Sequence, residues 1–120
     1  RFLATLLPRR QILIVADGCN WGLKPKIAAI NASNTFSQYI QSHHHEITST
    51  HYAARLISRA FALAHHSIFT GAEDFWDLGT TTLLGGVILE LEEPIVETSP
   101  SGDSVVNNWA FVWGSVGDCK

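Results

Sequence analysis

The stretch TTTLLGGVILEL, residues 80–91, decides the fold of this chain. Its side chains alternate between two faces, and this period of two indicates a β-strand rather than a helix. Because both faces stay apolar up to Glu90, we expect the strand to be covered on both sides. The adjacent Gly85 and Gly86 predict a β-bulge or a close approach of another backbone segment.

Two further stretches predict strands. QILIVAD, residues 11–17, is a short apolar run that leads into a turn at Gly18, as expected of a buried strand. Residues 109–117 alternate and place three aromatic side chains on one face. These side chains are Trp109, Phe111 and Trp113. We interpret all four tryptophans of the chain, which include Trp21 and Trp76, as core or covering residues.

Between the strands predicted at residues 11–17 and 80–91, the apolar residues recur at the helical period over residues 24–42 and 50–70. Residues 94–108 are rich in Pro, Ser, Gly and Asn, and they predict a long, mobile hairpin loop between the last two strands. The order strand, helix, helix, strand, strand predicts an α+β fold, in which antiparallel β-sheet layers carry two packed helices.

The composition excludes several classes of protein. Of the 120 residues, 46% are hydrophobic and 16% are charged, which excludes intrinsic disorder. The formal net charge is −3 and no basic stripe is present, so we expect neither a nucleic acid nor a membrane as partner. No apolar run approaches the roughly 18 residues that a membrane helix requires.

The cysteines and histidines do not follow the spacing of a zinc site. Cys19 and Cys119 are too few for a disulfide scaffold, which favours a cytoplasmic or nuclear location. A negative charge at Asp17 disfavours a reactive thiolate at Cys19. The six histidines lack an HExxH or CxxC frame, so residues 43–45 are interpreted as a polar helix end.

Two pairs of neighbouring acid and glycine residues are the candidates for chemistry. Asp17-Gly18 ends the first strand, and Gly117-Asp118 ends the last one. Carboxylate and carbonyl oxygens are ligands that Mg²⁺ and Mn²⁺ prefer. We expect the two carboxylates to emerge from neighbouring strands and to share a site for such a cation. The alternative interpretation is that both pairs are ordinary turns.

Three motifs in this order resemble the metal-dependent Ser/Thr protein phosphatases of type 2C, the PPM family. They are VADGCNWG (15–22), LGTTTLLGGVI (78–88) and WGSVGDCK (113–120), with the two helices between the first and the second. The resemblance covers nearly the whole chain but only about the first half of a family domain. It implies that residues 1–120 form a single, incomplete PPM-type domain, part of an αββα phosphatase-type sandwich.

The resemblance assigns metal-site roles to three residues. Asp17 matches the aspartate that bridges two metal ions, and Gly18 matches the glycine whose carbonyl binds one of them. Asp118 matches the aspartate of the family's GDS motif, near the metal cluster. Gly79-Thr80-Thr81 match a strand that builds the central sandwich, so these residues are expected to be structural.

The chain departs from the family at several positions. Cys19 replaces a histidine that is a candidate proton donor, Asn20 and Trp21 replace two glycines, and Cys119 replaces a serine. The family's acidic pair and its phosphate-binding arginine have no convincing match in residues 1–11. The remaining strand-end aspartates of the family lie beyond the end of this sequence, and no catalytic residue is identified.

The resemblance implies that the parent domain dephosphorylates phosphoserine and phosphothreonine proteins, with Mg²⁺ or Mn²⁺, two ions in a complete domain, as cofactor. We expect little or no activity from the 120 residues alone, and the oligomeric state stays open. One alternative is an inactive pseudophosphatase or interaction domain, which the departures favour. Another is a metal-dependent ribonuclease of the PIN or NYN type. The residues ILIVADGCN also fit the pattern of that family, an apolar strand followed by DGxN. Net charge disfavours the ribonuclease.

Overall fold

The computed structural model describes residues 1–117. It contains four strands and two long helices, with short 3-10 turns at His44–Glu46 and Phe75–Asp77. In chain order the elements are β1 (Phe2–Leu7), β2 (Arg10–Gly18), α1 (Leu23–His43), α2 (Thr50–Phe69), β3 (Thr81–Thr98) and β4 (Ser104–Val116).

The four strands form one antiparallel sheet in the order β1-β2-β3-β4, and the two helices form a layer on one of its faces. The predicted α+β class is therefore confirmed. The sheet also contains β1, which we did not predict from the sequence. Because β3 lies between β2 and β4, the expectation that the strands ending at Asp17 and Gly117 are neighbours is wrong.

Small side chains let the helices approach the sheet and each other closely. The buried stripes match the predicted helical periods, and alanine is the commonest residue in both. The buried apolar residues of α1 are Pro25, Ala28, Ala29, Ala32, Phe36 and Ile40. Those of α2 are Ala53, Leu56, Ile57, Ala60 and Ala64. No helix among residues 1–117 is long and apolar enough to cross a membrane.

The ring of Phe36 occupies the space left by the missing side chain of Gly85. Phe36 is completely buried, and a Cβ atom on Gly85 would lie 2.6 Å from its Cζ atom. The ring also meets Phe61 edge to face, with the ring centroids 5.0 Å apart. At Gly85 the close approach is thus made by a side chain and not, as predicted, by another backbone segment. The bulge prediction at this position is wrong, because the register is continuous from Leu83 to Glu90.

The second face of the sheet is not covered by any of residues 1–117. Exposed fractions are 66% for Phe2, 52% for Phe111 and 57% for Trp113, all of which lie on this open face. Trp21 and Trp76 lie outside the sheet and are also exposed. The expectations that β3 is covered on both sides and that the tryptophans are core or covering residues are therefore not met within the described chain.

The last two strands continue well beyond the sheet as a two-stranded ribbon. After an irregularity between Glu90 and Ile95, pairing resumes and reaches Thr98 opposite Ser104, so the turn spans only residues 99–103. The long loop predicted at residues 94–108 is therefore wrong. The ribbon contributes to a radius of gyration of 16.7 Å, against about 14 Å for a compact chain of this length.

We expect Gly85→Ala to destabilise the fold by about 1–3 kcal/mol, because the added methyl group overlaps the buried ring of Phe36. Urea unfolding measures the free-energy change. The matched control is Gly114→Ala, whose Cβ would lie 3.0 Å from Cε2 of Phe61 and should cost less. A neutral Gly85→Ala, or equal losses in the two variants, would contradict this packing.

Candidate metal site

The backbone around Asp17 is held at the end of β2 by the start of β3. Asp17 pairs with Thr82 and Gly18 with Thr81 in the antiparallel register. The Thr81 hydroxyl donates to the Asp17 carbonyl oxygen at 2.9 Å, and the Cys19 amide donates to the Thr80 carbonyl oxygen at the same distance. These bonds fix the position from which the Asp17 side chain leaves the sheet.

Two glycines allow the first turn of α1 to lie directly on these strand ends. A Cβ atom on Gly18 would lie 2.6 Å from the Pro25 carbonyl oxygen, and one on Gly79 would lie 2.1 Å from the Lys24 carbonyl oxygen. Neither position has room for a side chain. Gly18 therefore has a packing role, whether or not its carbonyl binds a metal, and Gly79 has the structural role that we expected.

The Asp17 side chain lies on the open face of the sheet and is exposed. Its carboxylate has no hydrogen bond or ion pair with any other of residues 1–117. The ion pairs found there are Arg9 with Glu90 and Lys24 with Asp77. The carboxylate is thus accessible from solvent at a position that the backbone fixes.

The end of β4 lies at the same end of the sheet, on the other side of Thr82. A Cβ atom on Gly117 would lie 2.9 Å from Cγ2 of Thr82. Two strand spacings correspond to about 10 Å between the backbones at Asp17 and Gly117. Asp118, the second predicted carboxylate, lies outside the described residues, as do Cys119 and Lys120.

The described residues provide only part of a divalent-metal site. The donor chemistry of Asp17 and the Gly18 carbonyl suits Mg²⁺ or Mn²⁺, both of which prefer oxygen. However, no three His, Cys, Asp or Glu side chains are grouped to hold a metal within residues 1–117. A cation held firmly at this position needs further protein ligands.

Next to Gly18 lies a cavity that the sequence did not predict. Its volume is about 450 Å³, and it is bordered by Arg1 and Lys26 as well as by Trp21. The Arg1 guanidinium is held by a 2.8 Å hydrogen bond to the Asn34 side chain. Two cations beside one cavity favour an anionic ligand. No local motif marks Arg1, because the antiparallel pairing of β1 with β2 brings it to this position.

Some of the other polar candidates have structural partners, although Nδ1 of His44 is buried without one among residues 1–117. His43 ends α1 and its Nδ1 atom lies 2.8 Å from the Tyr39 carbonyl oxygen, which agrees with the predicted polar helix end. Arg10 donates to the Ile47 carbonyl oxygen, and Arg9 pairs with Glu90 at 2.6 Å. These groups lie at the end of the sheet opposite Asp17.

Comparison with protein-family models, curated proteins and solved structures found no match to this chain. The phosphatase resemblance therefore depends on the three sequence motifs and their order alone.

We expect opposite effects from substitutions at the two neighbouring positions 17 and 18. Asp17→Ala should change the free energy of unfolding by less than about 0.5 kcal/mol, because the side chain is exposed and unpaired among the described residues. Gly18→Ala should cost about 1–3 kcal/mol, because its methyl group overlaps the backbone of Pro25. Thermal or urea unfolding of both variants measures the difference. A large loss in Asp17→Ala would show that the carboxylate has a structural partner.

Proposed function

We propose that this chain supplies part of the active site of a metal-dependent Ser/Thr protein phosphatase of type 2C, with phosphoproteins as substrates. The observation that carries the proposal is the Asp17 carboxylate, which is accessible and unpaired among residues 1–117 and is held at the end of a strand. In the family that the sequence resembles, the matching aspartate bridges two metal ions.

Asp17 and the carbonyl group of Gly18 would hold the ions together with ligands outside the described residues. When bound, Mg²⁺ or Mn²⁺ lowers the pKa of a coordinated water and offsets charge on phosphoryl oxygens. The contribution of this chain is to fix the backbone from which the ligand projects, because the Thr81 hydroxyl donates to the Asp17 carbonyl oxygen. A side chain on a backbone that is already positioned loses less conformational freedom when it binds an ion.

Arg1 and Lys26 support a phosphate-bearing substrate. They border the cavity beside Gly18 and place two positive charges close to this end of the sheet, in a chain whose formal net charge is −3. The cavity lies on the helix side of the strand end, because Arg1 pairs with Ala16 and bonds to Asn34 of α1, whereas the Asp17 side chain leaves on the open face. The two cations therefore support the proposal only by attracting a dianionic phosphate group to this end of the sheet.

The open face of the sheet supports a two-layer sandwich. Large apolar side chains such as Phe111 and Trp113 are about half exposed there, and domains bury such faces against a second layer. In the proposed phosphatase, that layer would be a second sheet, and it would bring further strand-end ligands towards Asp17.

An inactive interaction domain is the second candidate. The observation in its favour is that residues 1–117 bring no three metal-ligating side chains together. Cys19 also stands where the family has a candidate proton donor. In this interpretation the fold is retained for binding a partner, and Asp17 is an exposed turn residue.

A phosphatase assay separates these functions. We expect the protein, with any residues that precede Arg1 or follow Lys120, to release phosphate from a phosphothreonine peptide in the presence of Mn²⁺. Asp17→Ala should lower that activity at least about 100-fold. Loss of a group that only orients a metal ligand already lowers activity about 10- to 100-fold, and Asp17 would bind the ions directly. The control is Glu73→Gln, which removes another exposed carboxylate and should leave the activity unchanged.

Each outcome has a clear meaning. Activity that survives Asp17→Ala would remove this residue from the mechanism. Absence of phosphatase activity, without stabilisation by Mn²⁺, would support the interaction domain. Mn²⁺-dependent cleavage of RNA, lost in Asp17→Ala, would instead assign the site to a ribonuclease.

A further inference from the structure

The two-stranded ribbon beyond the sheet has no role in the proposed phosphatase site. We call residues 92–108 the arm. The arm begins at the end of the sheet opposite Asp17, because β3 runs from Thr82, which pairs with Asp17, to Leu89, which pairs with Arg10. At about 3.4 Å per residue, the base of the arm is roughly 30 Å from the candidate metal site.

All charged residues of the arm are acidic. It carries four carboxylates and neither Lys nor Arg, and no Lys or Arg occurs anywhere in residues 91–117. The carboxylates are those of Glu92, Glu93, Glu97 and Asp103. None of them forms an ion pair with any residue that the structure describes. This charge disfavours nucleic acids and anionic membranes as partners and favours a cationic one.

The arm also exposes apolar side chains. Exposed fractions lie between 44% and 60% for Ile95, Val96, Val105 and Val106. Val96 and Val106 are directly paired across the two strands, so their side chains share one face. An isolated two-stranded ribbon is only marginally stable in water. The exposed valines are therefore suited to contact with another protein segment.

The backbone of the arm is open to strand pairing on both sides. Strand β2 pairs with β3 only as far as Leu89, so the outer edge of residues 92–98 has no strand partner within residues 1–117. Strand β4 is the edge strand of the sheet along its whole length. Unpaired peptide groups of this kind accept an added strand, with side chains at alternate positions providing specificity.

We propose that the arm binds an extended, basic segment of another protein, which adds to it as a further β-strand. Lys or Arg side chains of that segment would pair with the arm carboxylates, and β-branched residues between them would cover Val96 and Val106. A second copy of the arm is disfavoured as the occupant, because two arms repel each other through four negative charges each. The proposal does not depend on the phosphatase function.

The probe for this surface is a synthetic peptide of about eight residues in which Lys and Val alternate, a length close to that of an average strand. We expect saturable binding in fluorescence anisotropy, together with slower hydrogen exchange of amides in residues 92–108. Binding should weaken strongly between about 50 mM and about 500 mM salt, because salt screens exposed charge pairs. Glu93→Gln with Glu97→Gln should weaken it roughly fivefold.

Controls separate strand addition from unspecific attraction. Glu46→Gln with Glu73→Gln removes the same charge outside the arm and should leave the affinity unchanged. A peptide with a central proline should bind weakly because it cannot complete the ladder. Val96→Thr with Val106→Thr keeps the charge and should also weaken binding.

Equal binding to the proline peptide, or to both pairs of Glu variants, would overturn the proposal, as would no binding at all. Self-association in sedimentation that Val96→Thr with Val106→Thr abolishes would also overturn it, since the occupant would then be a second copy.

Discussion

The close approach of α1 to the sheet is the constraint on which the other features depend. Phe36 fills the space above Gly85 at the centre of this contact, and Gly18 and Gly79 allow the first turn of α1 to lie on the strand ends. These three glycines thus determine how closely α1 packs against the sheet. The same contacts determine where β2 turns, and so where the Asp17 carboxylate leaves the sheet.

The two faces of the sheet differ in the solvent exposure of their apolar side chains. One face carries the helices and is buried, whereas the other exposes aromatic side chains such as Trp113. Complete burial of a half-exposed large side chain contributes on the order of 1 kcal/mol. Several such residues side by side provide enough free energy to hold a second layer. The candidate metal site is at an end of this open face, which is where residues from a second layer would meet Asp17.

Much of the fold was predictable because periodicity is a local property of the sequence. Both helices, the strand after Gln11 and the alternation around Trp113 were predicted from it. Strand β1 was missed because it has only six residues, FLATLL, in which apolar and polar side chains do not alternate. The arm was mistaken for a loop because Pro94 and the polar residues around residues 99–103 outweighed the paired valines.

The site was only partly predictable for a different reason. Asp17 and Gly18 could be found because they follow an apolar run, but strand order is a property of the whole sheet and placed β3 between the two expected carboxylates. The position of Arg1 beside the Gly18 cavity likewise depends on the pairing of β1 with β2. Exposure of Trp109 and Trp113 depends on which sheet face the helices cover, and alternation alone does not specify that face.

The most direct test of the metal assignment is paramagnetic broadening of backbone amide signals by Mn²⁺, measured on the protein with any residues beyond Arg1 and Lys120. Broadening should be strongest at Gly18, Cys19 and Thr82, and Asp17→Asn should remove it, because the ion binds at this end of the sheet. Broadening centred on residues 43–45, or a pattern unchanged by Asp17→Asn, would contradict a metal site at the end of β2.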